Sequence, residues 1–154
     1  MATTWDKFQD LVRNQMRTVY SETVIDHAMN PRNVGNLEAA DGYASITGSC
    51  GDTMDIWLKV KDDTIVKATF MTDGCGTTIA AGSMITKLAK GKSVSQALTI
   101  SQEDMLSALD GLPEESKHCA LLAANTLKAA VKDYIAFKNE PWKRAYERPW
   151  SRQL

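Results

Sequence analysis

Between Tyr43 and Thr72 the apolar residues fall on alternate positions, and that period limits what the chain can fold into. Met54, Ile56, Leu58 and Val60 alternate with Asp55, Trp57 and Lys59, the two-residue repeat of a half-buried strand. Tyr43 to Thr47 reads as a short strand before it and Thr64 to Thr72 as a long strand after it. Only Lys61-Asp62-Asp63 separates the last two, and strands joined so tightly run antiparallel. The expectation is a three-stranded antiparallel sheet with one face left for helices to cover.

The flanking segments carry helical spacing. Trp5, Phe8, Leu11, Val12, Met16, Val19 and Tyr20 recur three and four apart. Ser21 restarts or continues that helix through Ala28, until Asn30-Pro31-Arg32-Asn33-Val34-Gly35 stops it. His27 reads as a surface or capping histidine. A helix follows Cys75 and ends at Lys90-Gly91-Lys92, a cationic last turn with a glycine. Short helices are expected around Val94 to Leu98 and from Ser101, an N-cap, through Leu109. Glu114 and Glu115 open a last long helix with an apolar stripe of Leu121, Leu122, Leu127, Val131, Tyr134 and Ile135. The fold class is therefore α+β, a small three-stranded antiparallel sheet covered on one face by helices, with a long C-terminal helix. The chain divides into an N-terminal helical extension over 1–19, a body over 20–137 and an aromatic, basic tail over 138–154. In the tail Trp142, Tyr146 and Trp150 recur every four residues among Lys143, Arg144, Arg148 and Arg152. It reads as a helical extension lying on the body, or as a docking surface rich in the usual interface anchors.

Composition removes several classes of function. A net charge of −1 over 154 residues gives no electrostatic reason to bind nucleic acid or an anionic membrane. No apolar run is long enough to span a bilayer. The N-terminus has neither an export signal nor the Arg-rich, acid-poor pattern of a transit peptide. A cytoplasmic protein is expected.

The three cysteines lie at 50, 75 and 119. With no C-x-x-C pair, neither a zinc ribbon nor a dithiol oxidoreductase is indicated, and a reducing compartment argues against disulfides. Their settings are Gly48-Ser49-Cys50-Gly51-Asp52, Asp73-Gly74-Cys75-Gly76-Thr77 and Lys117-His118-Cys119-Ala120. Glycines around Cys75 let the backbone turn and let something large approach the sulfur. The helix starting there offers free N–H groups and a positive dipole end, which favour thiolate. An ordinary thiol is only about 3% thiolate at pH 7, and each unit of pKa depression, about 1.4 kcal/mol, raises that roughly tenfold. A meander brings the start of the second strand and the end of the third to one edge, so Cys50 and Cys75 become neighbours. In extended chain Asp52 points the same way as Cys50. Any one of these thiols could simply be buried. Together, with Asp52 and His118 beside them, they suit zinc or an iron–sulfur cluster, because soft sulfur selects both. A harder fourth ligand, Asp52 or His118, suits a carrier that must release what it builds.

These motifs, with Tyr20-Ser21-Glu22, Asp26-His27 and Asn30-Pro31-Arg32-Asn33-Val34-Gly35, resemble the iron–sulfur cluster assembly scaffolds of the IscU type. That family also forms the N-terminal domain of NifU. The likeness runs from Tyr20 to about Tyr134. It implies a non-enzymatic scaffold that builds a [2Fe–2S] cluster, convertible to [4Fe–4S], and passes it to apo iron–sulfur proteins. It also implies a cysteine desulfurase as sulfur donor, with Cys119 as the leading persulfide acceptor. Cys50, Cys75 and Cys119 would ligate the cluster, Asp52 and His118 competing for the remaining place. Zinc is an alternative occupant in purified protein, a homodimer is compatible with the family, and Tyr20 would lie near the site or a subunit contact. Members served by a dedicated Hsp70 chaperone carry Leu-Pro-Pro-Val-Lys where this chain has Leu112-Pro113-Glu114-Glu115-Ser116, which argues against that partner. Two other readings stand beside the scaffold: a zinc-dependent persulfide relay, and an interaction module with buried thiols. Zinc-type relatives carry an insertion between the second and third cysteine motifs, and none is visible here.

Overall fold

A computed structural model describes residues Thr3 to Lys143. Its centre is the expected meander: β1 (Gly42–Thr47), β2 (Thr53–Lys61) and β3 (Thr64–Thr72), in the order β1-β2-β3. Both pairings are antiparallel, with Ala44 opposite Ile56 and Ile56 opposite Phe70. The β2–β3 turn places Asp62 and Asp63 at positive φ, a conformation that Asp tolerates better than most residues.

Side-chain caps mark where four of the helices start. α1 (Thr4–Met16) starts at Thr3 and α5 (Gln102–Ala108) at Ser101, each with a reciprocal capping box to an Asp three residues on. The short α4 (Val94–Ala97) uses Ser93 and Gln96 in the same way. Ser21 restarts the chain as α2 (Glu22–Met29) by accepting from the Val24 N–H at 3.1 Å. α3 (Gly76–Ala89) has Cys75 as its N-cap, and α6 (Lys117–Asn139) follows a single 3₁₀ turn over Glu114–Ser116.

One sheet face carries Met54, Ile56, Leu58, Ala68 and Phe70, all at most 1% exposed. α3 and α6 cover it with small residues that let their backbones come close: Ala80 and Ala81 from α3, Ala120, Ala123 and Ala130 from α6. Gly82 of α3 lies directly on the Phe70 ring, which a Cβ there would overlap. Gly42 of β1 faces α6 so closely that a Cβ would sit 2.5 Å from the Ala130 carbonyl oxygen. The outer edge of β3 is partly occupied. Phe70 donates to the Asn33 carbonyl and accepts from Gly35, both at 2.9 Å. At its other end, Ile65 donates to Lys92 at 2.8 Å and accepts from Gly91 at 2.7 Å.

Three local expectations change. His27 is not at the surface: it is 2% exposed, because α2 packs its inner face onto α3. Trp57, expected on the solvent side of a half-buried strand, is 3% exposed, with its ring 5.2 Å from that of Tyr43. Leu121 leaves the apolar stripe of α6 and is 43% exposed, one position off the face that Ala120 and Leu122 turn inward. The periodic residues of α1 do not enter the core. Trp5, Phe8 and Leu11 are all more than half exposed, and no α1 residue is buried. In the tail, Trp142 lies in a 3₁₀ turn over Pro141–Lys143, while Arg144, Tyr146, Arg148, Trp150 and Arg152 lie outside the described residues.

Candidate functional site

The end of β3 is stitched to the start of β2 before the chain enters α3. Thr53 N–H donates to the Asp73 carboxylate at 2.7 Å, and the Thr72 hydroxyl donates to the Thr53 carbonyl at 2.7 Å. Asp73 is thus a structural clamp. The rigid junction delivers Cys75 to the first turn of α3, where its thiol is exposed. The Thr77 hydroxyl, 3.2 Å from Cys75 Sγ, and the backbone N–H groups of Thr78 and Thr77 hold its pKa below the ordinary thiol range, against the desolvation of its partial burial. The helix start therefore does to this sulfur what its sequence setting implied.

Two threonine hydroxyls organise the rest. Thr77 Oγ1 lies 3.2 Å from Cys75 Sγ and 3.5 Å from Cys119 Sγ, so it stands between the two sulfurs. Thr78 Oγ1, fully buried, donates to Asp52 Oδ2 at 2.9 Å and lies 3.4 Å from Cys119 Sγ. His118 Nε2 is 3.7 Å from Cys119 Sγ. Cys119 itself is 1% exposed, in the first turn of α6 where that helix crosses the N-terminus of α3. Asp52, Cys75, His118 and Cys119 are thereby gathered from three separate parts of the chain.

Cys50 sits differently. It occupies the β1–β2 turn, which closes through Gly48 N–H to the Asp52 carbonyl at 2.8 Å and Gly51 N–H to the Gly48 carbonyl at 3.0 Å. Gly51 has φ of 90°, so the chain from Cys50 to Asp52 is a turn and the extended-chain rule for their side chains does not apply. Cys50 is exposed at the turn tip, and its thiol makes no hydrogen bond among the described residues. Among those residues no three His, Cys, Asp or Glu side chains form a ready-made metal cage. The donor set is nonetheless soft and mixed: thiols, one carboxylate and one imidazole, on a helix start that favours anions.

A cleft of about 140 Å³ leads to Cys75 and Thr77, walled by Met16, Tyr20, Val24 and Ala28. Tyr20 and Cys75 thus line one cleft. Behind it His27 Nδ1 is 2.7 Å from Ser83 Oγ, which also accepts from the Arg32 N–H at 2.9 Å. Burial first, then the Arg32 charge, push the His27 pKa below its ordinary value, with Asp26 opposing. This network ties α2 and the Asn30–Gly35 segment to α3 behind the site. Sequence reasoning assigned no role to Thr77, Thr78 or Ser83. For the two threonines a signal existed, hydroxyls in the first turn of a helix capped by a cysteine.

The chain as a whole is similar to known proteins. The family model described as the NifU-like N-terminal domain matches residues 19–141. The iron-sulfur cluster assembly scaffold protein IscU 1 of Archaeoglobus fulgidus is 47% identical over 118 residues, 76% of this chain and 77% of that protein. IscU of Escherichia coli is 43% identical over 120 residues, 75% of this chain and 93% of that protein. Among solved structures, the N-terminal part of a nitrogen-fixing NifU-like protein from Brucella abortus superposes with a TM-score of 0.63 at 18% identity, over 79% of this chain and 97% of that one. That last likeness shows the fold. Among the described residues no helix is long and apolar enough to cross a membrane.

Proposed function

Because the chain belongs to the NifU-like N-terminal domain family, we propose that it is a scaffold on which an iron–sulfur cluster is assembled and from which it is handed to apo-proteins. The observation that carries this reading is the convergence of Asp52, Cys75, His118 and Cys119 on the Thr77 and Thr78 hydroxyls. The names of its relatives support it, since several are cluster assembly scaffold proteins. The cluster is cargo here, not a resident cofactor. A [2Fe–2S] unit is the form that three thiols and one harder ligand suit, with [4Fe–4S] as a later product. Cys75 and Cys119 supply two thiolates, and Cys50 supplies the third once its turn side chain faces inward. Asp52 or His118 completes the set. Zinc, with the same taste for sulfur and imidazole, is a competing occupant.

Sulfur would come from a cysteine desulfurase as a persulfide. An acceptor thiolate attacks the outer sulfur, a new S–S bond forms, and the donor cysteine leaves as its thiolate. Cys119 is the proposed acceptor. At 1% exposure it needs its neighbours to part first, while the exposed Cys75 beside it is the thiol that an incoming chain meets. Recipients are apo iron–sulfur proteins.

The test is anaerobic reconstitution of the full chain with ferrous iron, cysteine and a cysteine desulfurase. Visible absorption bands and a Mössbauer spectrum of a protein-bound cluster are expected, in stoichiometric amounts. A folded protein that takes up no iron, yet relays sulfur catalytically when loaded with zinc, would instead be a persulfide relay.

A further inference from the structure

Asp52 is not free to point anywhere. Its Oδ2 accepts from Thr78 Oγ1 at 2.9 Å, and Thr78 is 0% exposed. A hydroxyl has one proton, and a carboxylate can only accept, so that proton is committed to Asp52. Toward Cys119 Sγ, at 3.4 Å, the same oxygen can then act only as an acceptor. Space for the contact is made by a third residue. A Cβ on Gly74 would lie 2.7 Å from Asp52 Oδ2, 2.7 Å from Thr78 Cβ and 2.8 Å from Thr78 Cγ2. Gly74 is not among the positive-φ glycines, so what this position requires is clearance and not an unusual backbone.

Resting on the scaffold reading above, we infer that Thr78 is a positioning residue, which with the clearance at Gly74 holds Oδ2 of Asp52 so that Oδ1 is presented to a metal beside Cys75 and Cys119. Carboxylates that ligate metals are themselves hydrogen-bonded, and loss of such a partner weakens binding about 10- to 100-fold. The inference separates the two candidates for the harder ligand. It makes Asp52 the oriented one, and leaves His118 with the 3.7 Å contact to Cys119 Sγ.

The experiment titrates Zn²⁺ against a chromophoric chelator, and records the Co²⁺ absorption spectrum, for full-length wild type, Thr78→Val, Thr78→Ser, Asp52→Ala and the Thr78→Val/Asp52→Ala double variant. Val keeps the buried volume and removes the hydroxyl; Ser restores it. Expected are a loss of about tenfold or more in Zn²⁺ affinity for Thr78→Val, affinity and Co²⁺ bands close to wild type for Thr78→Ser, and a double variant no weaker than Asp52→Ala alone. If Thr78→Val does not fold, Thr78→Ala takes its place in the same cycle. Unchanged affinity in the hydroxyl-free variant overturns the inference. So does an equal loss in the Asp52→Ala background, or a wild type that binds neither metal. Cluster reconstitution is measured separately. A wild type that builds no cluster but shows the Thr78 effect overturns the scaffold reading and leaves Thr78 as the residue that positions Asp52 on a metal.

Discussion

His27 illustrates what a side chain's partners do that its neighbours in sequence do not show. Its one side-chain hydrogen bond among the described residues is to Ser83, 56 residues away, so nothing local marked it as buried. Its folded pKa lies below the unfolded value, about 6.5. Stability from this group is therefore intact above that value and lost as pH falls below it, because the unfolded chain takes the proton first. The maximum slope is about 1.4 kcal/mol per pH unit. Urea unfolding between pH 7 and 5 should show a falling midpoint, and His27→Gln should flatten it; parallel curves would remove His27 as the cause. The depressed carboxylates Asp6, Asp26, Asp63 and Asp104 act in the same direction but around and below their ordinary values near 3.8, outside that window. Cys75 makes a second prediction at this scale. Exposed and biased toward thiolate, it should react with iodoacetamide faster than the sealed Cys119, by on the order of tenfold or more. Peptide mapping of a brief, metal-free alkylation measures this, and equal labelling of the two contradicts it.

Elements whose boundaries depend on nearest neighbours were legible; their burial was legible only in part. Ser101 and Asp104, or Lys90-Gly91-Lys92, mark helix ends within four residues. The strand alternation of Met54 to Val60 matched because its inner face meets helices along its whole length. Trp57 escaped it because burial on the second face depends on tertiary packing, and Leu121 because a helix face narrower than the apolar run leaves one leucine outside. At the site, the strand ends that meet in a meander were legible, but the roles of Thr77 and Thr78 between Cys75 and Cys119 needed the crossing of α3 and α6. Gly82 puts a number on how closely α3 lies on the sheet. In an isolated helix Ala is better than Gly by about 1 kcal/mol, yet here the added methyl meets the Phe70 ring, itself 1% exposed. Overpacking of this kind costs about 1–3 kcal/mol, so Gly82→Ala should lower stability in chemical denaturation despite its propensity. A stabilised variant would mean that the β3–α3 spacing relaxes freely.

For the whole molecule, α1 stands apart from the body's energetics. It buries no residue, so its amphipathic pattern is not spent on this fold. Removing residues 1–16 should leave the urea midpoint nearly unchanged, whereas loss of more than about 2 kcal/mol, the scale of burying one large apolar side chain, would show that α1 is part of the core. The body guards itself in another way. A small sheet offers two open edges, and an open edge recruits strands from other molecules. Here Asn33 to Gly35 and Gly91 to Lys92 hydrogen-bond to opposite ends of β3, and the Asp133 carboxylate accepts from the Tyr43 N–H of β1 at 2.9 Å. The segments that end two helices in the sequence are thus also what keeps one copy of the chain from zipping onto the next. The outer edge of β3 is thus guarded by a few backbone bonds at its two ends.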